Sequence, residues 1–544
     1  GNQNITFLCN NITFSYQSFY SCTSLLKLVI KSNIINIGNN AFQSCPNLHY
    51  VSFEANNVTL GNNAFISCEN LLELTINGKF IIMNNNAFSS CWKLENFSIE
   101  GNEISIGYQS FYQCSSLKII GIHAKSLMIG DQSFFNCRNI KDVILKGNNI
   151  SIGSHSFYTC INMQTIFIET KTFITKLLSF YSCTSLNNLT IKANSIILGD
   201  QSFDSCNKLV NILINCDFIT IGNFAFQSCT NLQYIEINSN FYSIGNCAFK
   251  TCKSLLNIKF SGDIFLIGEQ SFSSCTSIQN IELTAHNISI GKNAFSSCSS
   301  LQNIIIKGKI TSIGINSFTP CTNIQSVSIE GLEIIIGNTA FLSCINLQEL
   351  KIINKNDTIT EKKSLITIIG EKSFFDCKNI KIVELNAYNI SIASQSFASC
   401  IDLQNITFKS NTMIIGNNAF LSCTKLEKIS FECKEDISIG YRSFYLCLAL
   451  YDVSIHSNKT KIGEESFIND GIIGNLTLKG NDISIGPHSF CGCVRIESIL
   501  IETNNFSTGY RSFFSCLNLV DLIIKANSVS IGDQSFNTCP LLSK

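Results

Sequence analysis

Several things are scarce in this sequence, and each scarcity removes a class of protein. Among 544 residues there are only 4 prolines and no proline- or serine-rich stretch, so no segment reads as a flexible linker between domains. Charge is thin and evenly matched, with 38 Lys and Arg against 38 Asp and Glu. That balance gives no electrostatic footprint for nucleic acid or an anionic membrane surface. No apolar run approaches the ~20 residues that cross a bilayer, so direct membrane insertion of these residues is not expected. No signal peptide is present, but the chain begins at Gly1 and stops within a repeat. It reads as a trimmed piece of a longer protein, so a missing leader or anchor carries no weight. Only 6 histidines occur, and there is no phosphate-binding loop or nucleophile elbow. The expectation is a non-enzymatic protein with no cofactor and no metal.

What is present is a period. Phe19, Phe42, Phe65, Phe88 and Phe111 lie 23 residues apart. The series runs on to Phe341, resumes at Phe374 and reaches Phe536. A cysteine follows three residues later almost every time, as in Cys22, Cys45 and Cys68. Periods of 20–50 residues mean one small unit stacked many times. With the cysteine as slot zero, Gly38 stands at minus seven and Phe42 at minus three. Leu48 stands at plus three, Val51 at plus six and Phe53 at plus eight. Slots plus six and plus eight are apolar while plus seven varies, which is the alternation of a half-buried strand. A second alternation precedes the glycine, as in Ile104 and Ile106 or Ile150 and Ile152, and predicts a second short strand. The Gly-to-Cys stretch is too short for a regular helix and suits a compact helical or 3-10 turn. Its glycine marks where the chain leaves the strand, a place that often needs φ > 0. One coil cannot offset its own ordering entropy. Stacking buries ladders of like residues, and about 23 coils at roughly 4.8 Å each predict a rod on the order of 110 Å long.

Three irregularities interrupt the period. The step from Cys344 to Cys377 carries an insertion around Asn354 to Lys363. The step from Cys423 to Cys447 is 24 residues, one more than the period, and Asp470, followed by Gly471, occupies one cysteine slot. None resembles a domain boundary, so residues 1–544 are expected to form a single solenoid. A carboxylate in an apolar slot is costly unless hydrated or bonded, which makes the Asp470 coil a predicted weak point. A longer repeat overlies the short one: Leu145 to Cys160 (LKGNNISIGSHSFYTC) returns as Leu478 to Cys493 (LKGNDISIGPHSFCGC). At slot plus nine, Glu100, His123, Lys146, Glu169 and Lys192 match Glu432, His456, Lys479, Glu502 and Lys525 in order. A block of several coils was duplicated together.

The 27 cysteines would ordinarily suggest a disulfide framework. All but Cys9, Cys216, Cys247, Cys433 and Cys491 fall in the core slot, where cysteine acts as a small hydrophobe. They are expected to be buried free thiols, because parallel Cβ vectors fit disulfide geometry poorly. Cys491 and Cys493 form an isolated pair without a zinc-spaced partner pair. His123, His155, His456 and His488 fall at outward slots. Sequons such as Asn57-Val-Thr59, Asn149-Ile-Ser151, Asn287-Ile-Ser289 and Asn389-Ile-Ser391 read either as glycan acceptors or as turn asparagines before a strand.

The binding candidates are the outward slots plus seven and plus nine. Plus seven holds Glu236, Lys259 and Glu282 in successive coils, and plus nine holds Lys146, Glu169 and Lys192. These charge ladders read either as recognition or as compensation for stacking like side chains. Ile144 with Phe167, and Leu500 with Ile523, place apolar pairs on the same face. The insertion residues Lys355, Asp357 and Lys362 are expected to overhang that face. The turn face repeats Ser, Asn and Gln and carries little recognition information.

The run I-G-x-x-[AS]-F-x-x-C-x-x-L-x-x-I-x-I, as in Ile290 to Ile306 and Ile415 to Phe431, resembles the BspA-like leucine-rich repeat. The resemblance covers essentially the whole chain, although that family often ends its strand with proline. It implies a mostly β, right-handed solenoid of about 23 coils with parallel sheets. Members occur on the surfaces of anaerobic bacteria and parasitic protists, and the abundance of Ile, Asn and Lys is what an AT-rich protist genome encodes. The resemblance implies a monomeric cell-surface or extracellular protein that binds a host, matrix or cell-surface protein. The alternative is a cytoplasmic leucine-rich-repeat scaffold.

Overall fold

The computed structural model describes residues 3–354, 366–468 and 472–542. The insertion residues Lys355, Asp357 and Lys362, and Asp470 with Gly471, lie outside the described residues. Contacts divide the chain into two compact units, Gly1–Gly262 with Ser271–Thr276, and Asp263–Gln270 with Ser277–Lys544. Each unit is a stack of coils built from parallel strands, and no helix occurs among the described residues.

Both predicted strands are present. In the first unit they appear as Leu25–Lys31 and Ile34–Ile37, and in several coils they merge into one, such as Tyr50–Leu60 and Glu73–Met83. Ile30 pairs with Phe53 and Phe53 with Ile76, each one period away. In the second unit Asn280–Ile290 runs alongside Asn303–Ile313, pairing from Asn280↔Asn303 to Ile290↔Ile313. The register cannot slip, because a one-residue shift would turn every inward Ile to solvent. The core is the set of ladders expected from the period: Leu28, Ile30, Ile35, Phe42, Cys45 and Leu48 are all fully buried. The phenylalanine rings stack, with Phe42 and Phe65 centroids 5.0 Å apart and Phe397 and Phe420 5.2 Å apart. The strand repeat of about 4.8 Å sets that spacing.

The turn differs from the expected helical or 3-10 segment, for a reason visible in its hydrogen bonds. From Asn40 to Ser44 alternate N–H groups point in different directions. Asn40, Phe42 and Ser44 donate to the next coil, at Asn62 O (2.9 Å), Ala64 O (2.8 Å) and Ile66 O (2.8 Å). Ala41 and Gln43 donate backward to Gly38 O (3.3 Å) and Asn40 O (3.2 Å). The second unit repeats this, with Asn418, Phe420 and Ser422 bonded to Tyr441, Ser443 and Tyr445. A helix would spend every one of these N–H groups internally. Here three of the five join coil to coil, so the turn is a third ladder.

The glycine expectation also changes. Gly38 and Gly61 do not have positive φ; the left-handed residues are Asn40 (57°) and Ser44 (55°), and their counterparts in nearly every coil. Gly38 is required by close approach, since a Cβ there would sit 2.6 Å from the Phe14 carbonyl oxygen.

Every cysteine is a free thiol, and the core-slot thiols are buried apart from the half-buried Cys22. They do more than fill space. Most donate to the phenylalanine carbonyl of the preceding coil: Cys45 to Phe19 O at 3.2 Å, Cys137 to Phe111 O at 3.0 Å, Cys423 to Phe397 O at 3.3 Å. Burial pushes the Cys91 and Cys377 thiols up to about 12, because desolvation disfavours the thiolate. Off the ladder, Cys9 is exposed and Cys216 and Cys491 are half-buried, but Cys247 and Cys433 are buried.

Candidate protein-binding face

Alternation along the first strand of each coil turns slots plus five, plus seven and plus nine outward. In the first unit Ile144, Phe167 and Thr190 are register neighbours. Ile144 is 41% exposed, whereas Phe167 is half-buried. Phe167 lies between two ammonium groups, Lys146 Nζ at 5.5 Å and Lys192 Nζ at 6.0 Å from its ring centre. Lys146 also pairs with Glu169 at 3.1 Å. Its counterpart in the second unit aligns Thr477, Leu500 and Ile523. Glu502 there accepts from both Lys479 and Lys525 at 3.0 Å, and those two lysines hold its carboxyl below the usual range. Ile523 is exposed and Leu500 half-buried. Glu236 and Lys259 project outward on the first unit, where Glu236 accepts from Asn238 Nδ2 at 3.2 Å; Glu282 stands half-buried on the second.

The charge ladders therefore neutralise one another. Lys31–Glu54 at 2.8 Å and Lys351–Glu384 at 3.4 Å follow the same rule. Exposed pairs of this kind contribute little to stability, so they set compatibility between coils more than stability.

Each unit holds an opening in the ladder, which the period alone does not reveal. In the first unit the pairing of Asn96–Ile106 with Ile119–Ile129 begins only at Ile99↔Ile122. Phe97 occupies an inward slot there and packs edge-on against Phe111 at 4.9 Å. A cleft of about 330 Å³ results, lined by Asn96, Phe97, Ser98, Lys118, Ile119 and Gly121 among others. In the second unit the pairing of Asn405–Lys409 with Lys428–Glu432 is reduced to Asn405↔Lys428, with an isolated bridge Ser410↔Cys433 beyond it. Here the cleft measures about 680 Å³. Phe408 and Phe431 lie side by side at the inward slot, 5.0 Å apart and tilted by 30°. The flanking coils carry Leu385 and Ile455 at that slot, and the one extra residue between Cys423 and Cys447 falls in the same coil. A phenylalanine in a strand slot is not by itself the signal, since Phe53 holds the same slot in an unbroken ladder.

The turn face is partly as expected. Its asparagines and aspartates are consumed by structure: Asn39, Asn62 and Asp131 accept the N–H of Asn62, Asn85 and Ser154 through their side chains. Ser133 Oγ donates to the carbonyls of Gly107 and Gly130, both at 2.8 Å. The expectation that this face lacks variety is corrected at two places. Tyr112, Phe135, Tyr158 and Tyr181 form a half-buried aromatic column with centroid spacings of 5.3, 5.0 and 5.0 Å. In the second unit Arg442 lies over Tyr441 and Tyr445, and Arg511 over Tyr510 and Phe514. The column was visible in the sequence as four aromatics in successive coils at slot minus two.

Among the described residues no three His, Cys, Asp or Glu side chains come within reach of one metal ion. No helix among them is long and apolar enough to cross a membrane.

The model of the BspA type leucine rich repeat region matches in 6 copies, at residues 2–118, 104–232, 176–275, 248–364, 358–473 and 460–544. A comparison with curated proteins finds no match. Among solved structures, the chain is similar to a leucine rich cell surface protein from Faecalibacterium prausnitzii. That likeness has 18% identity, covers 61% of this chain and 82% of that one, and has a TM-score of 0.25. A leucine-rich repeat protein from Bacteroides ovatus matches at 19% identity over 92% of this chain and 87% of its own, with a TM-score of 0.23. The pneumococcal vaccine antigen PcpA matches at 15% identity over 74% and 84%, with a TM-score of 0.25.

Proposed function

Because the chain belongs to the BspA-type leucine-rich-repeat family, we propose that it is a non-enzymatic cell-surface protein that recognises and adheres to other proteins. The recognition surface in this reading is the outward face of the first strands. One observation carries it. Slots plus seven and plus nine differ from coil to coil on a rigid ladder, while the turn asparagines and serines are used up by hydrogen bonds between coils. Phe167 and Leu500 are the anchors, apolar side chains beside lysine–glutamate pairs in both copies of the duplicated block. A partner covering either anchor would bury apolar surface inside a polar rim.

The test is binding of the purified chain to a panel of purified host and matrix proteins. Phe167→Glu and Leu500→Glu are expected to lower affinity at least about tenfold, while Tyr112→Ala and Tyr158→Ala leave it unchanged. The opposite pattern would move the site to the turn face.

The uniformly free thiols favour a second reading, an intracellular scaffold, since disulfides are rare in reducing compartments. Antibody staining of intact against permeabilised cells separates the two.

A further inference from the structure

Gly121 is the sole glycine that slot plus seven holds along the whole sequence. It stands inside the strand Ile119–Ile129, where glycine weakens the strand and often marks the close approach of a ligand. The fold does not require it. A Cβ at Gly121 would meet nothing within 4 Å, whereas at Gly101 and Gly107 it would sit 2.7 Å from a carbonyl oxygen. Nor does Gly121 have positive φ. The missing side chain leaves the outward face recessed, at the cleft of about 330 Å³. That volume is within the range of about 300–1,000 Å³ usual for ligand sites.

The residues around the recess differ from those of its duplicate. Phe97 is half-buried, although Leu74, Ile120 and Val143 in the same slot are fully buried. Ile119 is 52% exposed. In the duplicated block the positions of Phe97, Ile119 and Gly121 hold Ile429, Asp452 and Ser454. There the two strands pair without a gap, from Lys428↔Asp452 to Glu432↔His456. The recess therefore belongs to one copy of the block, and it coincides with an open ring, an exposed isoleucine and a missing side chain. Its rim is acidic. Glu73, Glu95 and Lys118 line it. Lys118 is bound to Glu95 at 3.1 Å, which leaves Glu73 without a basic partner among the described residues. Glu100, two residues beyond Ser98 on the same strand, is exposed and likewise has none.

We propose, on the reading that the first-strand face is the recognition surface, that this recess receives an aromatic side chain of a partner protein, with a lysine or arginine beside it in the partner's sequence. The partner's ring packs against Phe97 and Ile119 in the space that Gly121 leaves. The cation meets Glu73, whose charge nothing else on the rim offsets. No strand of the partner joins the ladder; only side chains enter the recess.

Binding of capped tripeptides to the whole chain, read by saturation-transfer difference NMR, tests this. Lysine–tryptophan–lysine is expected to bind. Lysine–alanine–lysine and glutamate–tryptophan–glutamate are each expected to bind at least about tenfold more weakly. Gly121→Val fills the recess without a clash. It should keep or raise the melting temperature, because valine suits a strand better than glycine, and weaken the first peptide at least about tenfold. Gly121→Thr, a side chain this slot already carries at Thr75, is the second filler and should act alike. Glu73→Lys should weaken the same peptide by a similar factor. Affinity unchanged in both Gly121 variants would overturn the site. Equal binding of the alanine peptide would overturn the aromatic contact, and equal binding of the glutamate peptide the cationic one. Capture of purified host and matrix proteins separates the recess from the wider reading. If Phe167→Glu and Leu500→Glu abolish capture while the first tripeptide fails to bind, the recognition face stands and the recess falls. If the tripeptide binds and Gly121→Val removes it, while no protein is captured, the recess stands and the face falls.

Discussion

A residue that looks like filler in this chain is a donor. The core-slot cysteines reach back to the phenylalanine carbonyl one coil earlier, and that bond cannot be replaced by a methyl group. Cys137→Ala should lose both packing and the donor to Phe111, at a cost of about 2 kcal/mol, measured as a shift in the urea midpoint. Burial of these thiols also links stability to pH. The folded Cys91 and Cys377 values are raised from 9.0 to about 12. Their contribution is complete below the unfolded thiol value and is lost as pH rises from 9 through 12, because only the unfolded chain ionises. The urea midpoint should be flat from about pH 6 to 8 and fall steeply above 9. A midpoint that stays level to pH 11 would show that the thiols ionise as readily in the fold as out of it. Thiol labelling of the native chain should reach Cys9, Cys22, Cys216 and Cys491, and denaturation should release the rest, Cys247 and Cys433 included.

Within the coil, the turn and the glycine before it divide the backbone problem between them. The glycine admits the neighbouring coil, while the left-handed residues at Asn40 and Ser44 redirect alternate N–H groups to it. The two kinds of position should respond differently to mutation. Gly222→Ala places a Cβ 2.6 Å from the Asp200 nitrogen and should destabilise by about 2–4 kcal/mol. Ser228 has φ of 58°, so Ser228→Gly should change stability by less than about 1 kcal/mol while Ser228→Val costs more. Equal effects of Gly222→Ala and Ser228→Gly, read by thermal melting, would mean the close approach is not what the glycine serves. Asp470 occupies a slot whose counterparts Cys447 and Cys493 donate to Phe420 and Phe467. Asp470→Cys should therefore raise the urea midpoint, and unusually slow amide exchange from Phe467 to Ile473 in the native sequence would contradict its role as a weak coil.

Across the whole molecule, charge is compensated locally, coil against coil, as Glu502 between Lys479 and Lys525 illustrates. Stability should accordingly change little between about 10 mM and about 500 mM salt, a range over which the screening length falls from about 30 Å to a few ångströms. A large loss of melting temperature at high salt would mean the ladders contribute more than exposed pairs usually do.

The period, the two strands, the buried phenylalanine and cysteine ladders and the outward slots plus seven and plus nine were all legible in the chain, because alternation and spacing alone decide which side chains face inward. Ile144, Phe167, Leu500 and Ile523 stand on the face that the alternation assigns them. The turn geometry was not legible: whether an N–H bonds backward or to the next coil depends on a neighbour 22 residues away, which local composition does not report. The same holds for the clefts. Phe97, Phe408 and Phe431 fit the apolar pattern as well as isoleucine does, and Phe53 fits it in an unbroken ladder, so the pattern does not tell where pairing lapses. Alternation in the chain settles which residues are inside; where the ladder lapses was settled only by packing, because pattern depends on polarity and pairing depends on the coil on either side.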